Sequence, residues 1–463
     1  MLERATTARV LLLVVFTLAG VVSAAATGNL KGHGGPVKAI TVSEDGTRAL
    51  SGSFDYSMIL WDLTGAEPKE LHSFDDHDGA VNDAAFLPGM KRALSASDDG
   101  TVRLWDLETR SLIKRFKGHS HKVVKLALSE DGTKAVSASW DRTARIWDLS
   151  TQEPGPVLKG HRNTITDVTF STDGAHVFTA GYDGTIRQWR TETGEEVGEL
   201  FSHGWGVNVL AALPSGEHLM FGGLNGFVGL VNIKTGKIDR PLRPSERPIL
   251  SITVNPKLGL AAAGAGDGRI SVWELETWKE KFSYDNPFGP AWALAFRSDG
   301  KSLYFGSLDD EVILWQMEPA KPFEVAEGKF PRRFQITEGI DPGALQFARK
   351  CSICHTLTPD TANRAGPTLY KVFGRKVGTL PGYSYSKALK DREFIWTPET
   401  VEALFAEGPE NYVPGSKMPL QKMTNEQERK ALIAFLKHAT ETGKPAAEAY
   451  VSYEAEKKKR QKN

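Results

Sequence analysis

An all-β ring of seven small sheets followed by an all-α domain is the fold this sequence predicts, and three observations carry it. Tryptophans stand at 61, 105, 147, 189, 273 and 315, separated by 44, 42, 42, 84 and 42 residues, with the missing beat at Val231. Upstream, His33, His77, His119, His161 and His203 keep the same period. After Trp315 the period stops, and a helical pattern begins around the chain's only two cysteines, in "KCSICHTL".

At 463 residues, 40% hydrophobic and 25% charged, the chain has apolar material for more than one packed core. Its formal net charge is zero, and it holds no Gly-rich phosphate loop or basic-aromatic stripe, which argues against nucleic acid as a partner. Residues 1–26 read as a signal peptide: Arg4 and Arg9 precede an apolar run from Val10 to Val22, then small residues with a cleavage site near Ala24 or Ala26. The run is shorter than the roughly 20 residues that span a bilayer, so export to the periplasm is the expectation and an uncleaved N-terminal anchor the alternative.

Residues 27–320 carry the repeats. Six residues before each tryptophan beat sits a turn acid or its amide: Asp55, Asp99, Asp141, Asp183, Asn225, Asp267 and Asp309. Segments such as "VVKLAL", "KAVSAS" and "ARIWD", divided by "EDGT" and "WDRT", make each unit a small antiparallel sheet. One such sheet cannot bury both faces, whereas seven arranged radially pack face to face. With "GH" opening a unit and "WD" closing it, the pattern resembles the WD40 family, a seven-bladed propeller.

That resemblance implies a buried hydrogen-bonded chain of histidine, strand Ser or Thr, turn aspartate and tryptophan in each blade. Units one to four are complete, but Asn225, Val231, Ser245 and Pro287 depart from the pattern, so blades five to seven are expected to be stapled less tightly. The periodic histidines are spread around the ring and cannot converge on one metal ion. The resemblance also places Phe54, Asp98, Trp140, Tyr182, Leu224, Gly266 and Leu308 on the narrow top surface, with Trp205 beside them. Phe54, Trp140, Tyr182 and Trp205 are the candidate anchors for a protein partner, against the plainer role of covering neighbouring blades. His121 is the one non-periodic histidine in a loop that joins blades.

Beyond Trp315, "MEPAKPFEVAEGKFPRRFQITEGID" suits a last outer strand and then a linker over 321–340. Residues 341–446 form the helical domain, and 447–463, ending in "KKKRQKN", read as a disordered basic tail. Cys351, Cys354 and His355 make C-x-x-C-H, the attachment sequence for haem c. One helical turn presents both thiols to the two vinyl groups, and the adjacent histidine reaches the iron. A zinc site would need further soft ligands and the chain has no other cysteine. A redox dithiol would sit in a βαβ context, and a plain disulfide would leave the histidine without a role.

Residues 341–440, with "GALQFARKCSICHTL", "AGPTLYKVFGRKVGTLPGYSYSKALK", "FIWTPETVEALF", "YVPGSKMPL" and "ERKALIAFLKHAT", resemble class I cytochrome c of the mitochondrial and alphaproteobacterial kind. The resemblance implies one covalent haem c with His355 and Met418 as iron ligands and the Pro367 carbonyl orienting the His355 ring. It assigns Arg375, Tyr385 and Trp396 to a haem propionate, and Gly343 and Phe347 to the contact between first and last helices. Phe405 stands where the family often has a tyrosine, and Met423 is expected to pack rather than ligate.

Between Asp341 and Lys444, 15 basic residues face 11 acidic ones, and Lys371, Lys376, Lys417 and Lys422 flank the haem-binding segments. Such lysines steer an acidic redox partner, unless they are simply a solvated surface. The expected function is a periplasmic electron carrier with a docking propeller. The alternative is an oxidoreductase in which the propeller binds a substrate or second cofactor and the haem drains its electrons; a redox sensor is the third reading.

Overall fold

The structure, a computed structural model, describes residues 28–287, 289–319, 341–352, 354–359, 366–383, 385–414, 416, 418 and 422–460. The signal segment 1–26, the linker 321–340 and Lys417 lie outside the described residues.

Seven four-stranded antiparallel sheets form the propeller. Blade one runs Val37–Val42, Arg48–Ser53, Met58–Asp62 and Lys69–Phe74 from the centre outward. Its second strand, "RALSGS", is buried on both sides because neighbouring blades cover both faces of the sheet. The tryptophans at 61, 105, 147 and 189 are each 1% exposed, wedged into the cores between blades. Burial on that scale, a few kcal/mol per large side chain, is what closes the ring.

Blade seven corrects one expectation. Its inner three strands are Ala293–Phe296, Ser302–Gly306 and Glu311–Gln316, but its outermost position is taken by the N-terminal strand Leu30–Lys31, which pairs Leu30 with Val312. Among the described residues no outer strand follows Trp315; chain start and last blade zip together instead, and the N-terminal strand closes the ring.

In blade two the Trp105 indole N–H donates to Ser95 Oγ at 2.8 Å, Ser95 Oγ lies 2.7 Å from His77 Nε2, and His77 Nδ1 lies 2.8 Å from Asp99 Oδ2. Asp99, a carboxylate, only accepts, so His77 carries a proton on Nδ1; burial, against the pull of Asp99, lowers the imidazole below 6.5 and favours the neutral ring, whose Nε2 then accepts from the Ser95 hydroxyl. Blades one, three and four repeat the chain through Ser51, Ser137 and Thr179. Blades five to seven place Phe221, Ala263 and Phe305 where the hydroxyl would stand. In blade five His203 reaches Asn225 at only 3.3 Å and packs instead among Phe201, Phe221 and Phe227, while in blade six Ser245 Oγ donates to Asp267 at 2.7 Å.

The C-terminal domain has six helices among the described residues: α1 Pro342–Lys350, α2 Lys387–Lys390, α3 Pro398–Glu407, α4 Pro409–Tyr412, α5 Glu426–Thr442 and α6 Ala446–Arg460. Asp341 caps α1 by accepting from the amides of Gly343 and Ala344, and Asn425 does the same for α5 from Gln427 and Glu428. Helices α1 and α5 cross where a Cβ on Gly343 would come within 2.1 Å of the Ala431 carbonyl, and Phe347 and Phe435 meet there at 5.5 Å.

The presumed tail is a second correction. "AAEAYVSYEAEKKKR" is rich in Ala, Glu and Lys, all strong helix formers, and α6 lays Ala449, Tyr450 and Tyr453 on the domain core. Lys457 Nζ reaches back to Asp341 Oδ2 at 2.7 Å, joining the last helix to the cap of the first. No helix among the described residues is long and apolar enough to cross a membrane.

Candidate functional site

The end of α1 delivers Cys351, Cys354 and His355 to one wall of a cleft in the helical domain. All eight residues singled out from sequence for the cofactor, Cys351, Cys354, His355, Pro367, Arg375, Tyr385, Trp396 and Met418, line this one cleft. The chain scatters them over 68 positions, and only the fold brings them together.

His355 Nδ1 donates to the Pro367 carbonyl at 2.7 Å, which fixes the proton on Nδ1 and leaves the lone pair on Nε2 for a metal. Glycine at 366 is required for this: a Cβ there would lie 2.3 Å from the ring's Cε1. The cradle therefore holds a flat, oriented imidazole. Cys351 is buried and Cys354 half-buried on this wall, and neither is joined to another cysteine. Two thiols, an oriented histidine and apolar walls from Val377, Leu404 and Leu436 fit a covalent haem.

At the polar end, Arg375 Nη2 donates to the Thr368 carbonyl at 2.7 Å, and burial pushes the Tyr385 phenol above its usual value against the opposing charge of Arg375. Phe405 is buried and lines the cleft. Met423 is 3% exposed within the core, where its amide donates to the Phe405 carbonyl, and it does not line the cleft, whereas Met418 does.

Of the lysines, Lys376 is paired with Glu393 at 2.8 Å and Lys371 lies 5.3 Å from the Tyr370 ring; neither they nor Lys422 line the cleft. On the propeller, Phe54, Asp98, Trp140 and Tyr182 meet at the mouth of the central channel. Trp140 and Tyr182 are each 39% exposed and Trp205 63%, while Leu224, Gly266 and Leu308 are half-buried. The His121 ring lies tilted 5.7 Å from that of Trp140 in the loop between blades.

Sequence reasoning missed Tyr56. This residue, on the turn after Arg48–Ser53 with φ 73°, lines the same cleft as Cys354 and His355, so the propeller contributes to the site. Burial, then the proximity of Tyr383 and Cys354, pushes its phenol well above the ordinary tyrosine value. The only local signal was a tyrosine in the left-handed conformation, which sequence alone does not reveal.

Comparison with known proteins agrees with this geometry. A family model described as "WD domain, G-beta repeat" matches residues 25–62, 68–106, 110–148 and 152–190, and one described as "Cytochrome c" matches 340–440. The cytochrome c of Gibberella zeae is 39% identical over 101 residues, 22% of this chain and 94% of that protein. Those of Sesamum indicum and Arabidopsis thaliana are 42% and 39% identical, over 22% and 21% of this chain and 90% and 87% of theirs. By its C-terminal domain the chain belongs to the cytochrome c family and carries covalently bound haem c for electron transfer, behind a propeller that begins with WD40 repeats.

Proposed function

We propose that this protein is a periplasmic electron carrier in which His355 and Met418 ligate the haem iron and the propeller docks the redox partner. The observation that carries it is the presence of both side chains on one cleft, with His355 already oriented by Pro367. Bound haem supplies a one-electron Fe(III)/Fe(II) couple, and a methionine ligand favours the ferrous form. Cys351 and Cys354 tether the macrocycle, Arg375, Tyr385 and Trp396 hold a propionate, and Leu436 and Val377 keep water from its face. With His355 and Met418 both serving as ligands, the iron would offer small gases and peroxide no open site.

The docking surface of this reading is the propeller face that carries Phe54, Trp140, Tyr182 and Trp205, where three exposed aromatic rings are suited to anchor a protein. Lys371 and Lys422, with Lys417 beside the haem segments, add positive charge that speeds encounter with an acidic partner, while the charge of Lys376 is offset by Glu393. Arg4, Arg9 and the apolar run behind them support export.

The test is an absorbance spectrum of the periplasmically expressed protein, oxidised and reduced, with a pyridine assay of haem count. One haem c with the weak red-edge methionine band, unchanged by carbon monoxide, is the expected result. A ferrous iron that binds carbon monoxide readily would sink the carrier reading in favour of chemistry at an open iron.

A further inference from the structure

The mouth of the propeller channel is a cavity of about 340 Å³ whose charged side chains come from blades one to four. That volume admits one side chain or a small acid, and no folded element. Every carboxylate in it is already partnered. Asp98 accepts from Asn82 Nδ2 at 2.7 Å and from Lys122. Asp83 accepts from the Leu126 amide at 2.9 Å and pairs with Lys125 at 3.3 Å. Asp167 takes the amides of Val168 and Leu210 at 2.7 and 2.9 Å.

Lys38 is the exception. It sits at the bulge of the inner strand of blade one, where the equivalent positions are Asn82, Val124, Thr166, Asn208 and Leu250. Its ammonium lies 4.8 Å from the Trp292 ring and 5.9 Å from Phe54, and among the described residues it makes no ion pair. An ammonium ringed by protein and held over two aromatic faces, whose nearest carboxylate, Asp98, is already bonded to Lys122, has room for an anion of its own.

We infer that this mouth binds a carboxylate, seated against Lys38 between the rings of Phe54, Trp140 and Trp292. Two sources share that chemistry, a free organic acid and an acidic side chain on a docked segment. Burial, reinforced by Lys125 and Lys122 and opposed by Asp98, lowers Lys38 to about 8. Asp83 and Asp167 are the other charged groups among the described residues of the mouth; burial pushes the Asp167 carboxyl up to about 7, so binding weakens first as Asp167 ionises and again as Lys38 loses its proton.

The inference stands apart from the electron-carrier reading, and its test does not pass through the iron. Calorimetry on the full-length, haem-loaded protein at fixed ionic strength uses glutarate in one arm and an end-blocked Gly-Gly-Glu-Gly-Gly peptide in the other. Binding of either probe that falls at least tenfold in Lys38→Met, as loss of a charge-assisted contact requires, and survives in Lys38→Arg supports the site. Glutarate binding assigns a free acid, and peptide binding alone assigns a docked segment. No heat with either probe at millimolar concentration, or binding that survives Lys38→Met, overturns the inference.

Discussion

Phe54 and Tyr56 stand two residues apart on one turn and face different sites: Phe54 lies 5.9 Å from Trp292 at the channel mouth, and Tyr56 lines the haem cleft. A single turn of the first blade therefore touches both the surface read as the docking face and the redox centre. Between them Asp55 is pinned inside the blade by His33 and Ser57, which anchors the turn that carries both rings.

Tyr56→Ala is expected to lower the midpoint potential of the haem. The ring helps to close the cleft, and removing it admits water, which favours the more highly charged ferric form. Potentiometry on the full chain checks this, with the methionine band retained as evidence that ligation is intact. An unchanged potential would mean that the tyrosine does not shield the haem.

The two methionines are separated by substitution. Met418→Ala should abolish the red-edge band and let carbon monoxide bind the ferrous iron. Met423→Ala should keep the band and cost about 2–5 kcal/mol of domain stability, because it empties a core position. Spectra and urea unfolding of the two variants decide the assignment, and the reverse pattern would make Met423 the ligand.

The blade staples predict where the propeller yields. Ser95→Ala leaves both the Trp105 indole N–H and His77 Nε2 without a partner inside the blade, at a cost of about 2–4 kcal/mol. Replacing Phe221, which occupies the same place in blade five, removes packing but no hydrogen bond. Urea unfolding followed by tryptophan fluorescence measures the first, and a change below about 0.5 kcal/mol would mean the chain contributes little.

Acid weakens the same staples, and the sign follows from the directions of shift. Burial alone would raise Asp99, but the His77 contact, Thr101 and the Asp78 amide outweigh it and hold its carboxyl well below the usual range; Asp141 and Asp183 are depressed likewise. Their stabilisation is complete above the unfolded value of 3.8 and is lost as pH falls below it. Burial also lowers His77 from 6.5, despite its bond to Asp99, so blade two starts losing stability sooner, as pH drops through 6.5. Thermal unfolding from pH 7 to pH 3 should show a shallow decline, then a steep one, and Asp99→Asn should flatten the steep part.

Much of this was legible in the chain. The period near 42 residues reports a unit that cannot bury its own faces, and C-x-x-C-H states its chemistry in five residues. Leu30–Lys31 was not legible as a closing strand, because two residues carry no alternation and their partners, Val312 and Glu311, lie 282 and 280 positions away. Helix α6 hid behind its lysine run, whose charge suggests solvation although its alanines and tyrosines pack on α5. Lys38 and Tyr56 acquire meaning only from what the ring and the second domain set beside them.

Gly343→Ala tests the helix crossing that frames the cleft. A Cβ would meet the Ala431 carbonyl at 2.1 Å and Phe435 Cβ at 2.9 Å, both fixed parts of α5, so the helices must separate. Overpacking of that kind costs about 1–3 kcal/mol. The displaced α1 carries Cys351 at its end, and its cap Asp341 is tied to Lys457 of α6, so the strain spreads to the cofactor and the last helix together. Unfolding followed by haem absorbance should shift to lower urea, while propeller unfolding followed at its tryptophans stays in place. A common shift of both transitions would instead mean that the two domains unfold as one unit.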